Sequence, residues 1–153
     1  MSPREIRIER IESVYRESLA AAVAVDLLGI RLRAEPSFLA SRGLKIRAFR
    51  DLENHLDATY LIRLFAEYES TLRSYWRDGL RLETVPRTKD LMDAIAARRG
   101  IGRDLLEHVH NVREFRNSLV HEDHGSEAAV SLEESQQRLR SYLARLPNSL
   151  RSG

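Results

Sequence analysis

Apolar residues return every three or four positions along most of this 153-residue chain, and no segment shows the strict alternation of a convincing strand. A spacing of three to four puts side chains on one side of an α-helix, whereas a half-buried strand needs a period of two. Ile11, Val14, Leu19, Val23, Leu27 and Ile30 keep the helical spacing, and so does the longer set from Leu52 and Leu56 through Leu61, Leu64, Phe65, Tyr68 and Leu72 to Trp76. The chain is therefore expected to be all-α.

The breaks between these runs carry helix start and stop signals. Ser2-Pro3-Arg4-Glu5 combines an N-cap, a proline at the first helical position and a capping-box glutamate, opening a helix expected to reach about residue 33. Glu35-Pro36-Ser37 stops it, and Gly43 punctuates the stretch that follows. A second long helix is expected over Asp51 to Arg77, closed by Asp78-Gly79. Val85-Pro86-Arg87 forms a loop, and Thr88 is placed to cap a shorter helix holding Leu91, Met92 and Ile95. After the turn at Gly100 and Gly102, a helix runs from Arg103 to His121 and meets Asp123-His124-Gly125. Ser131-Leu132-Glu133-Glu134 is a second capping box, opening a last helix with Leu132, Leu139, Tyr142, Leu143 and Leu146 that stops at Pro147. The expected architecture is one domain over residues 1–153, an up-and-down four-helix bundle with one or two extra short helices and a short tail from about 147.

Composition excludes several classes of function. Hydrophobic residues make up 42% and charged residues 31%, the balance of a soluble chain that can bury a core. There is no cysteine, which removes disulfides and thiolate metal sites and points to a reducing, cytoplasmic setting. The N-terminus lacks the apolar core of a signal peptide. The run Leu19 to Ile30 is too short to cross a bilayer and contains Asp26, so it is expected to be a buried helix segment and not a membrane span. Net charge is only +2, but 23 of the 25 basic residues are Arg, with Lys45 and Lys89 the exceptions. Arg suits bidentate contact with phosphate. A GC-rich coding sequence enriches Arg and Ala together, so this bias alone does not indicate nucleic acid. No Gly-rich phosphate loop is present, and no cofactor is expected.

The helix from Arg103 to His121 holds the residues with chemistry to offer. At about 100° per residue, Leu105, Val109, Val112, Phe115 and Leu119 share one sector, which must be the buried stripe. Arg116 falls inside or at the edge of that stripe, where a guanidinium needs a carboxylate partner or an anionic ligand. Asn117, His121 and His110 share a neighbouring sector, with Asn117 and His121 one turn apart. A plain structural role is open for both ends of the pattern. Arg116 would pair with Glu67 or Glu69, and His121 would suit the negative end of the helix dipole. Tyr75-Trp76 fits base stacking less well than core packing. His108-x-His110 with His121-x-x-His124 makes a poor metal site, because His108 and His110 point about 200° apart on a helix.

The spacing Arg-x4-His is itself weak evidence. It occurs three times, at Arg50/His55, Arg103/His108 and Arg116/His121, against about one match expected by chance from this composition. Context separates the third copy, where an Arg enters an apolar stripe and the His ends a helix beside a loop.

"FRNSLVHE", residues 115–122, resembles the Arg-x4–6-His motif of the HEPN superfamily, in which a polar residue, often Asn, follows the Arg. The resemblance extends to "LDATYLIRLFAEYESTLRSYW" and "SLEESQQRLRSYLARLP", about two thirds of the chain. It implies a small helical bundle, usually a homodimer with the motifs facing each other across the two-fold axis. It also implies a metal-independent endoribonuclease, the toxic component of a toxin–antitoxin or phage-defence system, with RNA as substrate and an antitoxin protein as partner.

By that resemblance Arg116, Asn117 and His121 are the catalytic residues. Arg116 stabilises phosphoryl oxygens, Asn117 orients the phosphate or His121, and His121 transfers protons. A second chain supplies the second His, and the product carries a 2′,3′-cyclic phosphate end. Arg113 and His110 are the further candidates for nucleic-acid contact. In the branch that pairs with nucleotidyltransferase antitoxins a Tyr stands two residues after the His. Here Asp123 occupies that position, which argues against that antitoxin and that mode of control. Some family members are non-catalytic, so a helical module that binds RNA or a protein partner is the alternative reading.

Overall fold

The computed structural model describes residues 3–121 and 129–148. The expected roles of Ser2, Asp123-His124-Gly125 and the end of the C-terminal tail lie outside the described residues. Five α-helices follow one another: α1 (Pro3–Ala34), α2 (Ile46–Ser74), α3 (Thr88–Arg99), α4 (Arg103–His121) and α5 (Leu132–Leu143). A 3-10 turn at Ala40–Arg42 and a π-helical turn at Tyr75–Gly79 complete the set, and no strand occurs among the described residues. The fold is all-α. No helix among the described residues is long and apolar enough to cross a membrane.

Local chemistry explains most boundaries. Gly43 and Gly100 take φ of 75° and 62°, the left-handed conformation that glycine adopts without steric cost, and each donates its backbone N–H back into the preceding turn. Ser131 accepts a hydrogen bond on Oγ from the backbone N–H of Glu134 at 3.1 Å, which fixes the start of α5 as the capping box requires. Two starts differ from expectation. The α2 helix begins at Ile46, because nothing between Lys45 and Asp51 opposes helix, and Arg47 pairs forward with Asp51 at 3.9 Å. Thr88 is the first residue of α3, not its cap, because its hydroxyl is drawn to Glu69 on α2.

The core forms around α2, which packs on α1, α3, α4 and α5. Leu64, Phe65, Tyr68 and Leu72 of α2 meet Leu91, Met92 and Ile95 of α3, Val109 and Val112 of α4, and Leu139 and Tyr142 of α5. Each such side chain contributes about 1.5–3 kcal/mol on burial. Tyr142 donates its hydroxyl to the Met92 carbonyl at 2.7 Å and meets the Tyr68 ring edge-on at 5.5 Å. The wider π turn lets two consecutive aromatics, Tyr75 and Trp76, both reach the interior, with Trp76 donating Nε1–H to the Thr84 carbonyl at 2.8 Å.

The expectation for α1 needs correcting. Ile11 and Val14 are buried, but Leu19, Val23, Leu27 and Ile30 are 50–61% exposed, so Leu19 to Ile30 is not a buried segment. The buried line continues instead through Ser18, Val25, Gly29 and Leu32. Length explains this. At 32 residues α1 is about 48 Å long, while α5 has 12 residues and is about 18 Å long. Only the first half of α1 has α5 as a neighbour, and the second half buries just the line that faces α2. There the helices come close at Gly29, where an added Cβ would meet Phe49 Cζ at 3.3 Å.

Candidate functional site

The α4 helix packs on α2, α3 and α5 through Val109 and Val112, with Leu105, Phe115 and Leu119 half-buried. Its remaining faces carry two polar clusters and a terminal imidazole.

The first cluster is Arg116 with Asn117. Arg116 is half-buried at the α2 contact, its guanidinium carbon 5.5 Å from the centre of the Phe65 ring. Its Nη1 donates to Asn117 Oδ1 at 3.0 Å, while Nε is buried with no hydrogen-bond partner among the described residues. With its oxygen so engaged, the Asn117 amide has its two N–H donors left for another partner.

The ion pair with Glu67 or Glu69 is not formed among the described residues. Glu69 is instead held by Thr88, which donates its hydroxyl, and by Arg73 Nη2 at 2.8 Å. Burial alone would raise the pKa of Glu69. The hydrogen bonds from Thr88 and Arg73, with the charges of Arg73 and Arg116, bring it below the ordinary carboxylate value. Arg116 therefore contributes long-range charge to Glu69 without pairing with it.

The second cluster joins α4 to α3. His110 Nε2 lies 2.6 Å from Asp93 Oδ1, and Arg113 Nε donates to His110 Nδ1 at 3.2 Å. Since Nδ1 accepts from Arg113, the ring proton is on Nε2 and points at Asp93. Both ring nitrogens are thus occupied. The side chains of His110 and Arg113 are only 16% and 14% exposed. Arg113 also reaches Glu114 at 3.3 Å.

His121 ends α4 one turn beyond Asn117, about 6 Å along the axis. It is exposed, and its imidazole makes no hydrogen bond to another described residue. Arg116, Asn117 and His121 thus share the last two turns of one helix, with Arg116 and Asn117 in direct contact. Arg113 and His110 are also in contact, one to two turns earlier.

Both other Arg-x4-His pairs lie on the surface: Arg50 and His55 are exposed on α2, and Arg103 and His108 are exposed on α4. Of the three arginines only Arg116 is half-buried. Tyr75 and Trp76 belong to the core, and Arg98 covers the Trp76 ring at 5.4 Å. Among the described residues no group of three or more His, Asp or Glu is gathered as for a metal ion.

Asp93 was not singled out by sequence, and Glu69 and Thr88 were read in other roles, not as one group with Arg73. Asp93 is 17 residues from His110 and on another helix, so only tertiary packing joins them.

Compared with family models, with curated proteins and with solved structures, the chain finds no match.

Proposed function

We propose that this protein is a metal-independent endoribonuclease of HEPN type, the toxic component of a toxin–antitoxin or phage-defence system. The observation that carries the reading is Arg116, a half-buried cation with no carboxylate within ion-pair distance among the described residues, braced by Asn117 one turn before an imidazole that bonds to no other described residue. A buried N–H left without an acceptor costs about 1–3 kcal/mol, and an anionic ligand offsets that cost.

A scissile RNA phosphate is the anion that fits this chemistry. Arg116 and the Asn117 amide hold its non-bridging oxygens and stabilise the charge added as phosphorus becomes five-coordinate. His121 removes the proton from the ribose 2′-hydroxyl, whose oxygen then bonds to phosphorus. The bond from phosphorus to the 5′-oxygen breaks, and that oxygen takes a proton from His121 of the partner subunit. The products are a 2′,3′-cyclic phosphate and a 5′-hydroxyl. Arg113, oriented by His110, lies one turn before Asn117 and contacts the next phosphate. RNA as substrate places the action in the cytoplasm.

Overexpression in cells is the direct test. Wild-type protein is expected to arrest growth and fragment RNA, and His121→Ala and Arg116→Ala are each expected to relieve both effects. Variants as toxic as wild type would leave the alternative, a non-catalytic module that binds RNA or a protein partner.

A further inference from the structure

The buried line of α1 begins with a cation. Arg7 precedes Ile11 and Val14 on the face that enters the core, and it is only 8% exposed. Its Nη1 and Nη2 are both buried without a hydrogen-bond partner, and it forms no ion pair among the described residues. Burial lowers its pKa and the nearby Tyr75 hydroxyl offsets part of that fall, but a guanidinium keeps its proton in a protein.

The groups that compensate such a charge elsewhere are turned away or taken. Glu5, Glu9 and Glu12 lie roughly 140–200° around the helix from Arg7. The carbonyls just past α5 go to other arginines, with Arg4 Nη1 donating to Ala144 O at 3.4 Å and Arg99 Nε to Arg145 O at 3.3 Å. On the π turn, Asp78 pairs with Arg77 at 3.1 Å. A second polar group is left over beside Arg7. Tyr75 is 3% exposed, and its hydroxyl bonds to no other described residue. The π turn that seats it is a geometry that recurs at functional sites.

We propose that Arg7 and Tyr75 form a binding site for a phosphate oxyanion, at the end of the bundle where α1 begins and α2 and α5 end. The two free Nη groups match two oxygens of a tetrahedral anion, and the Tyr75 O–H donates to a third. Helical side chains lean toward the N-terminus, so Arg7 reaches back to the first turn of α1, whose free N–H groups favour negative charge. Arg4, Arg99 and Arg145 stand around the same end and draw anions to it. Helix ends open at little cost, which admits the ligand. Tyr75 lies about 15 Å farther along the helix axis than Phe65, the ring beside Arg116, so the site does not rest on the ribonuclease reading.

Thermal unfolding of the full chain in sodium phosphate, against sodium chloride of equal ionic strength, tests the site. Phosphate is expected to raise the wild-type Tm by about 3 °C or more. Arg7→Met is expected to lose that rise, and Tyr75→Phe, which keeps the buried ring, to lose at least half of it. A short DNA oligonucleotide offers phosphodiesters without a 2′-hydroxyl to react, and it separates the sources of the anion. A rise with phosphate alone identifies free phosphate. A rise with the oligonucleotide that Arg7→Met and Tyr75→Phe diminish identifies a nucleic-acid backbone. No rise in wild type with either ligand overturns the proposal, and so does a rise that Tyr75→Phe leaves at the wild-type size.

Discussion

The guanidinium of Arg116 lies 5.5 Å from the centre of the Phe65 ring, and its Nε–H is buried without an acceptor among the described residues. A stacked cation that lacks a carboxylate is poorly compensated by the fold itself. Replacing it by an apolar side chain of similar length is therefore predicted to cost little. Arg116→Met should change unfolding stability by no more than about 1 kcal/mol in a urea titration. The same change is predicted to lower RNA cleavage by about 100- to 1000-fold, the loss seen when one donor to a developing oxyanion is removed.

Two buried tyrosines make opposite predictions. Tyr142 donates its hydroxyl to the Met92 carbonyl at 2.7 Å, whereas the Tyr68 hydroxyl is buried with no partner among the described residues. Tyr142→Phe removes this second bond to a carbonyl that keeps its intrahelical partner within α3, and is predicted to destabilise by about 0.5–1.5 kcal/mol. Tyr68→Phe removes an unpaired polar atom and is predicted to be neutral or stabilising. Urea or thermal unfolding of the two variants checks the contrast.

Stability is also predicted to fall at both ends of the pH range. Burial raises the pKa of Tyr68 and of Tyr142, so their contribution is complete below the unfolded value of about 10 and is lost as pH climbs toward the folded values. Glu69 shifts the other way, with a folded pKa below the unfolded value of about 4.3. Its contribution is present above that value and is lost as pH falls through the folded pKa. Glu69→Gln is predicted to flatten the acid limb of a plot of urea midpoint against pH and to leave the alkaline limb in place. An unchanged acid limb in that variant counts against the Thr88–Glu69–Arg73 arrangement.

Asp93 and His110 hold Arg113 in place, and in the proposed ribonuclease they stand apart from the phosphate attacked beside His121. Asp93→Asn and His110→Ala are each predicted to raise KM for RNA by about tenfold, with kcat close to wild type, because they remove ground-state binding. Arg113→Ala should match them, and adding Asp93→Asn to Arg113→Ala should cost nothing more. Steady-state kinetics on one defined oligonucleotide decides the point.

How much of this was legible in the sequence depends on the range of the interactions. Helical class, the span of α4 and the Ser131 cap are set by spacing and by neighbours within four residues, and these were readable. The burial of α1 beyond Val14 was not, because its apolar periodicity does not reveal that α5 is too short to cover Leu19 to Ile30. At the site, the position of Arg116 at the stripe's edge followed from angle alone. Its lack of a carboxylate did not, since Glu69 is engaged by Thr88, a residue 19 positions away whose helix packs on α2. The Asp93–His110–Arg113 bracket was hidden for the same reason.

In the proposed reaction Arg116, Asn117 and His121 cleave RNA without a metal. Purified wild type and His121→Ala, each incubated with total RNA in EDTA and followed by analysis of the new ends, test it most directly. The prediction is fragmentation by wild type alone, with 2′,3′-cyclic phosphate and 5′-hydroxyl ends. No cleavage by wild type, cleavage that EDTA abolishes, or equal cleavage by His121→Ala would contradict it.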